Sequence, residues 1–379
     1  MNRPRLRTLA ALVTGTALAA IGSGVSAPAG AFATGCVRNG NTAEVGLPGS
    51  EALLIQNVGG NLRISAPSFS DEYCGGATVT NVDSIAITGS VDSDYVLVYL
   101  DNGGIAPGAS GESTTPEIEI SMDLDDGEDF VSIFGTSVED NVTGNAGGFN
   151  LNGDTDHNDV TAANVENHQV FPGGGDDLVN MSNRGTSYPF AVQVYGDEGN
   201  DTIVGSANGD LLVGQGGDDR LSGLGGGDNL QGGTGMDTID GRDGADSIDG
   251  GADTDILDLI RADTGADVDL LSGTATSDGS TDTVAGVENV AGSNFDDVIR
   301  GTNTENVLNG RAGNDEIRGR TGVDTVIGGD GNDFVYGGTG ADLVLGGKGN
   351  DKLSGERDTD VCEDTVGTNT FTLCETVIS

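Results

Sequence analysis

The stretch Gly328 to Ser354 reads GGDGNDFVY, GGTGADLVL, GGKGNDKLS, and a fourth copy of the same pattern, GGTGMDTID, opens at Gly232. The unit is G-G-x-G-x-D-x-U-x, with U aliphatic. Followed outward, it fills two arrays. The first has seven units, opening at Gly196, Gly205, Gly214, Gly223, Gly232, Gly241 and Gly250. The second has eight, opening at Gly292, Gly301, Gly310, Gly319, Gly328, Gly337, Gly346 and Gly355. Position six is Asp in fourteen of the fifteen units, with Asn306 the exception. Position eight is aliphatic in fourteen, with Cys362 the exception. An acid locked to one slot and a core-type residue locked to another define a fold and a ligand together.

The first six residues of a unit read as a tight turn and the last three as a short strand. Glycine serves where φ must be positive. Asn208, Asp253 and Asp358 stand in at position four, because Asn and Asp best tolerate the left-handed region. Phe295 and Thr304 do not, which weakens the start of the second array as a metal site. Two units make one coil of 18 residues, so units n and n+2 stack at about 4.8 Å. The aliphatic residues then point inward as a narrow core, and the aspartates meet along one edge. The expected pairs are Asp201/Asp219, Asp210/Asp228, Asp219/Asp237, Asp228/Asp246 and Asp237/Asp255. In the second array they are Asp315/Asp333, Asp324/Asp342, Asp333/Asp351 and Asp342/Asp360. Stacked carboxylates repel unless a cation lies between them. Calcium takes six to eight oxygens, which turn carbonyls complete. The pairs imply roughly nine Ca²⁺ ions, about +18 of charge, and folding coupled to metal.

Composition agrees. The chain has 379 residues, 66 of them Gly, no Trp, and a formal net charge of −45. So acidic a surface argues against nucleic acid as a partner and against anionic membrane surfaces. Arg3, Arg5 and Arg7, the apolar run Leu9 to Ile21 and the Ala31-Phe32-Ala33 box read as a cleaved export signal over residues 1–33. No other segment is apolar and long enough to span a membrane. The protein is therefore expected to be secreted, extracellular or cell-surface associated. Four cysteines in an exported chain suggest two disulfides, with Cys36–Cys74 and Cys362–Cys374 favoured, one at each end.

The expected organisation is a β-rich N-terminal domain at 34–125, with strand candidates Val79 to Ile87, Tyr95 to Leu100 and Glu117 to Leu124. Worn β-helix coils follow at 126–195. There Ile133, Val142, Leu151 and Val160 keep the inward beat, while most aspartates are lost. The first array (196–258), an insertion (259–291), the second array (292–363) and a cap (364–379) complete the chain.

The nonapeptides, with the GVENVAGSNFDD restart at Gly286, resemble the RTX, haemolysin-type calcium-binding family over about 170 residues. The resemblance implies an all-β parallel β-roll with calcium in its turns. Many members of that family leave the cell by an uncleaved C-terminal signal. This chain differs in its N-terminal signal and its cysteine-bearing C-terminus, which favour the general secretory route.

Catalytic signatures are sparse. The only histidines are His157 and His168, read as exposed turn residues, and no H-E-x-x-H occurs. Nor is there a G-x-S-x-G elbow. The reading is non-catalytic. An adhesin binding cell-surface glycan or protein through 34–195 is the alternative. A polysaccharide lyase or epimerase is the other, with Asp154, Asp156, His157 and Arg184 its first candidates.

Overall fold

The computed structural model describes residues 35–39, 42–47, 52–58, 61–65, 84–89, 92–99, 119–125, 127–137, 140–145, 148–151, 160–163, 165–182, 190–364 and 366–378. The expected export signal, Cys74, His157, and the enzyme candidates Asp154, Asp156 and Arg184 lie outside them. Among the described residues there is no helix. Two ladders of mostly parallel strands run through Thr34–Ser379.

The period explains the pairing. In the first array one ladder places Ile203, Leu221, Ile239 and Leu257 in register. The other aligns Val194, Leu212, Leu230 and Ile248. The second array repeats this with Ile299, Ile317, Val335 and Leu353 and with Leu308, Val326, Val344 and Cys362. All of these side chains are buried. Burying one such side chain contributes roughly 1.5–3 kcal/mol. Residues at positions seven and nine alternate outward, as strands require. Cys362 is bonded to Cys374, which ties the last coil to the cap.

The same ladders continue through the N-terminal segment. Ile85 pairs with Ile120, and Ile120 with Val160. Val96 pairs with Val131, which pairs with His168, which pairs with Val192. The described strands of residues 34–125 and 126–195 thus extend the same two ladders as the arrays. Two expectations change here. His168 is not an exposed turn residue: it takes the inward slot of its coil, is buried, and packs beside Phe149 and Phe190. Burial pushes its imidazole down to about 4. The beat through Val142, Leu151 and Val160 is not a run of stacked units either. Asn141–Asn145, Gly148–Asn150 and Val160–Ala163 fold back antiparallel, and Leu151 is only partly buried.

On the outer face of these coils four rings stack in register: Tyr99, Phe134, Phe171 and Tyr195, with centroids 4.4, 4.8 and 5.0 Å apart. Strand spacing and ring spacing coincide, so each added coil extends the stack.

The insertion is woven into the solenoid. In one ladder Asn289–Ala291 bridges Ile256–Asp258 to Val307–Ala312. In the other, Ser280–Ala285 continues from Ser247–Ala252, turns back antiparallel through Thr274–Ser277 to Asp267–Asp269, and meets Val298–Arg300. Arg320 clamps Asp269 with two hydrogen bonds of 2.9 and 2.7 Å. Those bonds hold the carboxyl down at about 2 and pin the insertion to the second array.

Candidate metal centre

Each position-six aspartate ends a turn and faces the coil before it. Its Oδ1 accepts the backbone N–H of the residue at position six one coil earlier. All nine expected pairs make this bond. Asp219, Asp228, Asp237, Asp246 and Asp255 accept from Asp201, Asp210, Asp219, Asp228 and Asp237 at 2.7–2.8 Å. Asp333, Asp342, Asp351 and Asp360 accept from Asp315, Asp324, Asp333 and Asp342 at 2.8–2.9 Å. One oxygen of each acid therefore belongs to the backbone, whatever the ligand.

The second oxygen is different. Oδ2 is buried and without a hydrogen-bond partner in Asp201, Asp219, Asp228, Asp237, Asp246, Asp255, Asp315, Asp324, Asp333, Asp342, Asp351 and Asp360. It lies against the position-one glycine of its own unit. A Cβ added to Gly328 would sit 2.5 Å from Asp333 Oδ2 and 2.5 Å from the carbonyl oxygen of Gly346, one coil on. Glycine is required here by close approach. At positions two and four the requirement is conformational, as at Gly347 and Gly349 with φ of +109° and +143°. Asp253 and Asp358 do adopt positive φ, 80° and 82°. Asn208 is absent from the positive-φ residues, because its unit turns differently.

That unit reads GSANGDLLV, and Asp210 is its acid. The N–H of Ser206 donates to Asp210 Oδ2 at 2.5 Å and the hydroxyl to Oδ1 at 3.1 Å. Asp210, alone among the thirteen expected ligands, has its second oxygen satisfied within its own turn. The start of the second array behaves likewise. Ser293 donates to both oxygens of Asp297, and Thr302 to Asn306 Oδ1. A Ser or Thr at position two thus closes the turn with a local bond. Eight of the nine pairs have both second oxygens open; Asp210/Asp228 does not.

The ladder also includes acids that nine-residue spacing does not reveal. Asp94 N–H donates to Asp129 Oδ1 at 2.7 Å and Asp140 N–H to Asp177 Oδ1 at 2.6 Å, and Asp177 leads on to Asp201 at 2.8 Å. Asp129 and Asp177 are buried with Oδ2 unpartnered. The worn coils therefore keep their aspartates, contrary to the sequence expectation. Their separations are 35, 37 and 24 residues, because loops lengthen the turns. The surviving signal is D-x-V, in Asp94-Tyr-Val96, Asp129-Phe-Val131, Asp140-Asn-Val142 and Asp177-Leu-Val179. Across the insertion Asp282 and Glu288 accept from Asp246 and Asp255, each at 3.0 Å.

Burial dominates the electrostatics. It pushes Asp177, Asp219, Asp228 and Asp315 up to about 7, and Asp201, Asp255, Asp324 and Asp333 to about 6. The backbone bond on Oδ1 opposes the rise, and neighbouring acids add to it. A buried ionised oxygen without a partner is costly, so each turn calls for a proton or a cation.

Calcium fits these residues. It is a hard ion that takes carboxylate and carbonyl oxygens, and beside most of the open Oδ2 atoms lies a backbone carbonyl, as Gly346 O does beside Asp333. Among the described residues no three His, Cys, Asp or Glu side chains gather at one point, as softer metals would need. Comparison with curated proteins gives no match. Comparison with protein families matches the RTX calcium-binding nonapeptide repeat in four copies, at residues 195–230, 222–257, 291–326 and 327–362. The two arrays of this chain belong to the RTX calcium-binding repeats, and they fold as an all-β, parallel β-roll.

Proposed function

We propose that this is an exported, non-catalytic protein whose solenoid folds around calcium and serves a structural role outside the cell or at its surface. One observation carries the reading: a row of buried aspartate oxygens without partners, each packed against a glycine where a Cβ would collide with it. Asp201, Asp219, Asp228, Asp237, Asp246, Asp255, Asp315, Asp324, Asp333, Asp342, Asp351 and Asp360 would hold the ions, with turn carbonyls completing each shell. Bound calcium supplies positive charge where the fold concentrates negative charge. The chain's own residues do the rest. Oδ1 fixes the coil register, Oδ2 faces the cradle, and the aliphatic row excludes water.

Two features support a non-catalytic role. The ladder aspartates are committed to backbone amides. The buried Asp258 and Asp240, off the ladder, face Arg220, Arg311 and Arg242. Export is supported by Arg3, Arg5, Arg7 and the Ala31-Phe32-Ala33 box, and by the millimolar calcium outside cells that extracellular modules are tuned to. Calorimetric calcium titration, with circular dichroism before and after chelation, tests the proposal. Heats for about eight or nine ions, with β structure gained on binding, are expected. A β spectrum unmoved by chelator, with no heat of binding, overturns it.

A further inference from the structure

The last coil departs from the repeat at one residue. Where the stack calls for glycine at position one, after Gly310, Gly328 and Gly346, the next coil carries Asp364. Its strand, Val361–Glu363, is held by the Cys362–Cys374 disulfide two residues earlier. Asp364 N–H donates to the Ile378 carbonyl at 2.8 Å. Its Oδ1 accepts from Val366 N–H at 3.1 Å. The other oxygen turns back into the cradle that Gly346 and Asp351 make one coil before. A Cβ on Gly346 would overlap Asp364 Oδ2 and sit 2.9 Å from Asp351 Oδ2. Asp351 and Asp364 are 1% and 4% exposed; neither Oδ2 accepts an N–H or hydroxyl, and the two carboxyl groups lie within hydrogen-bonding reach of each other.

We infer that Asp351 and Asp364 form a capping calcium site, in which two carboxylates close the C-terminal end of the ladder. This rests on the calcium reading above. In most other units a position-six carboxylate is set against the carbonyl of a position-one glycine in the next coil, as at Gly310, Gly319 and Gly328. Here that next coil adds a second carboxylate. Calcium affinity rises with the number of charged ligands, so this turn holds its ion more tightly than the turns of the array. Asp364 lies beyond the last matched repeat, which ends at residue 362. The alternative occupant of two facing buried carboxylates is a shared proton.

The test uses the mature full-length protein, its Asp364→Asn and Asp364→Gly variants, and calcium titration against a competing chelator with ion counting by native mass spectrometry. Circular dichroism in excess calcium checks that the variants fold. In the wild type one ion should be the last removed by chelator. In both variants that ion should weaken by about tenfold or more, with the others unchanged. Unchanged affinities and ion count in folded variants would assign the pair a shared proton and overturn the capping site. A wild type that binds no calcium would overturn the broader reading instead.

Discussion

Asp333→Asn alters one oxygen of the ladder and leaves the other in place. The asparagine Oδ1 can still accept the Asp315 N–H, now bonded at 2.9 Å, while the amide replaces Oδ2. Asn306 shows that an asparagine fits a ladder position: it donates its own N–H to Asp324 Oδ1 at 2.8 Å and its Nδ2 to the Glu288 carbonyl at 2.6 Å, while Thr302 holds its Oδ1. Without calcium the substitution removes a penalty. Burial lifts Asp333 from 3.8 to about 6, so keeping it ionised at pH 8 costs about 3 kcal/mol at 1.36 kcal/mol per pH unit. With calcium the substitution removes a ligand. One ion lost at a thousandfold excess over its dissociation constant costs about 4.1 kcal/mol, about 1 kcal/mol more than the penalty relieved. The effect therefore reverses sign: the variant is more stable than wild type in chelator and less stable in calcium. Urea unfolding at pH 8, followed by circular dichroism in both media, measures it. If the chelated wild type has no β structure, the amount of stabilising osmolyte needed to fold each protein replaces the urea midpoint. A shift of the same sign in both media would refute the assignment of Oδ2 to the cation.

Acid should substitute for calcium. The ladder aspartates have folded-state values raised to about 6 or 7, so the metal-free fold is most favoured below about pH 4 and loses stability as pH rises through 6–7. Circular dichroism in chelator across that range should show β structure falling with pH. Asp210→Asn should leave the calcium count unchanged, because Ser206 already holds that carboxylate, whereas Asp219→Asn should lower it; native mass spectrometry reads both. Gly328→Ala places a methyl group 2.5 Å from Asp333 Oδ2 and the Gly346 carbonyl. It should remove a calcium and cost on the order of 2–4 kcal/mol, measured by the urea midpoint in calcium. Breaking Cys362–Cys374, which closes 12 residues, should cost about 2–3 kcal/mol and lower the thermal midpoint in reducing buffer.

The arrays were legible because every unit has nine residues, so one glance at spacing gives coil length, core row and acid row. Coils with turns of unequal length hide the same physics. Asp129 and Glu166 are joined across 37 residues, a distance no short period captures. His168 was misread because sequence offers no reason for an imidazole to occupy a slot filled above and below by Val131 and Val192. Asp210 counts as one acid among many until its turn is seen. The nearby Ser206 was in plain view, but its meaning depends on a turn that only coordinates reveal. The insertion looked like an interruption because neither Asp282 nor Glu288 is in phase, yet both accept a ladder amide.

The ladder bonds all point one way, since each amide is completed by a carboxylate from the coil that follows it. Cutting coils from the N-terminal side uncovers acids, which water solvates readily. Cutting from the other side strands amides, and the final two, of Asp351 and Asp360, depend on Asn369 at 2.9 Å and Glu375 at 2.8 Å. Each buried amide so stranded costs about 1–3 kcal/mol. The chain thus has a sense of direction in its assembly: each rung is completed only by the coil that follows it, and the finished stack should fray more readily from its N-terminal side than from its tail.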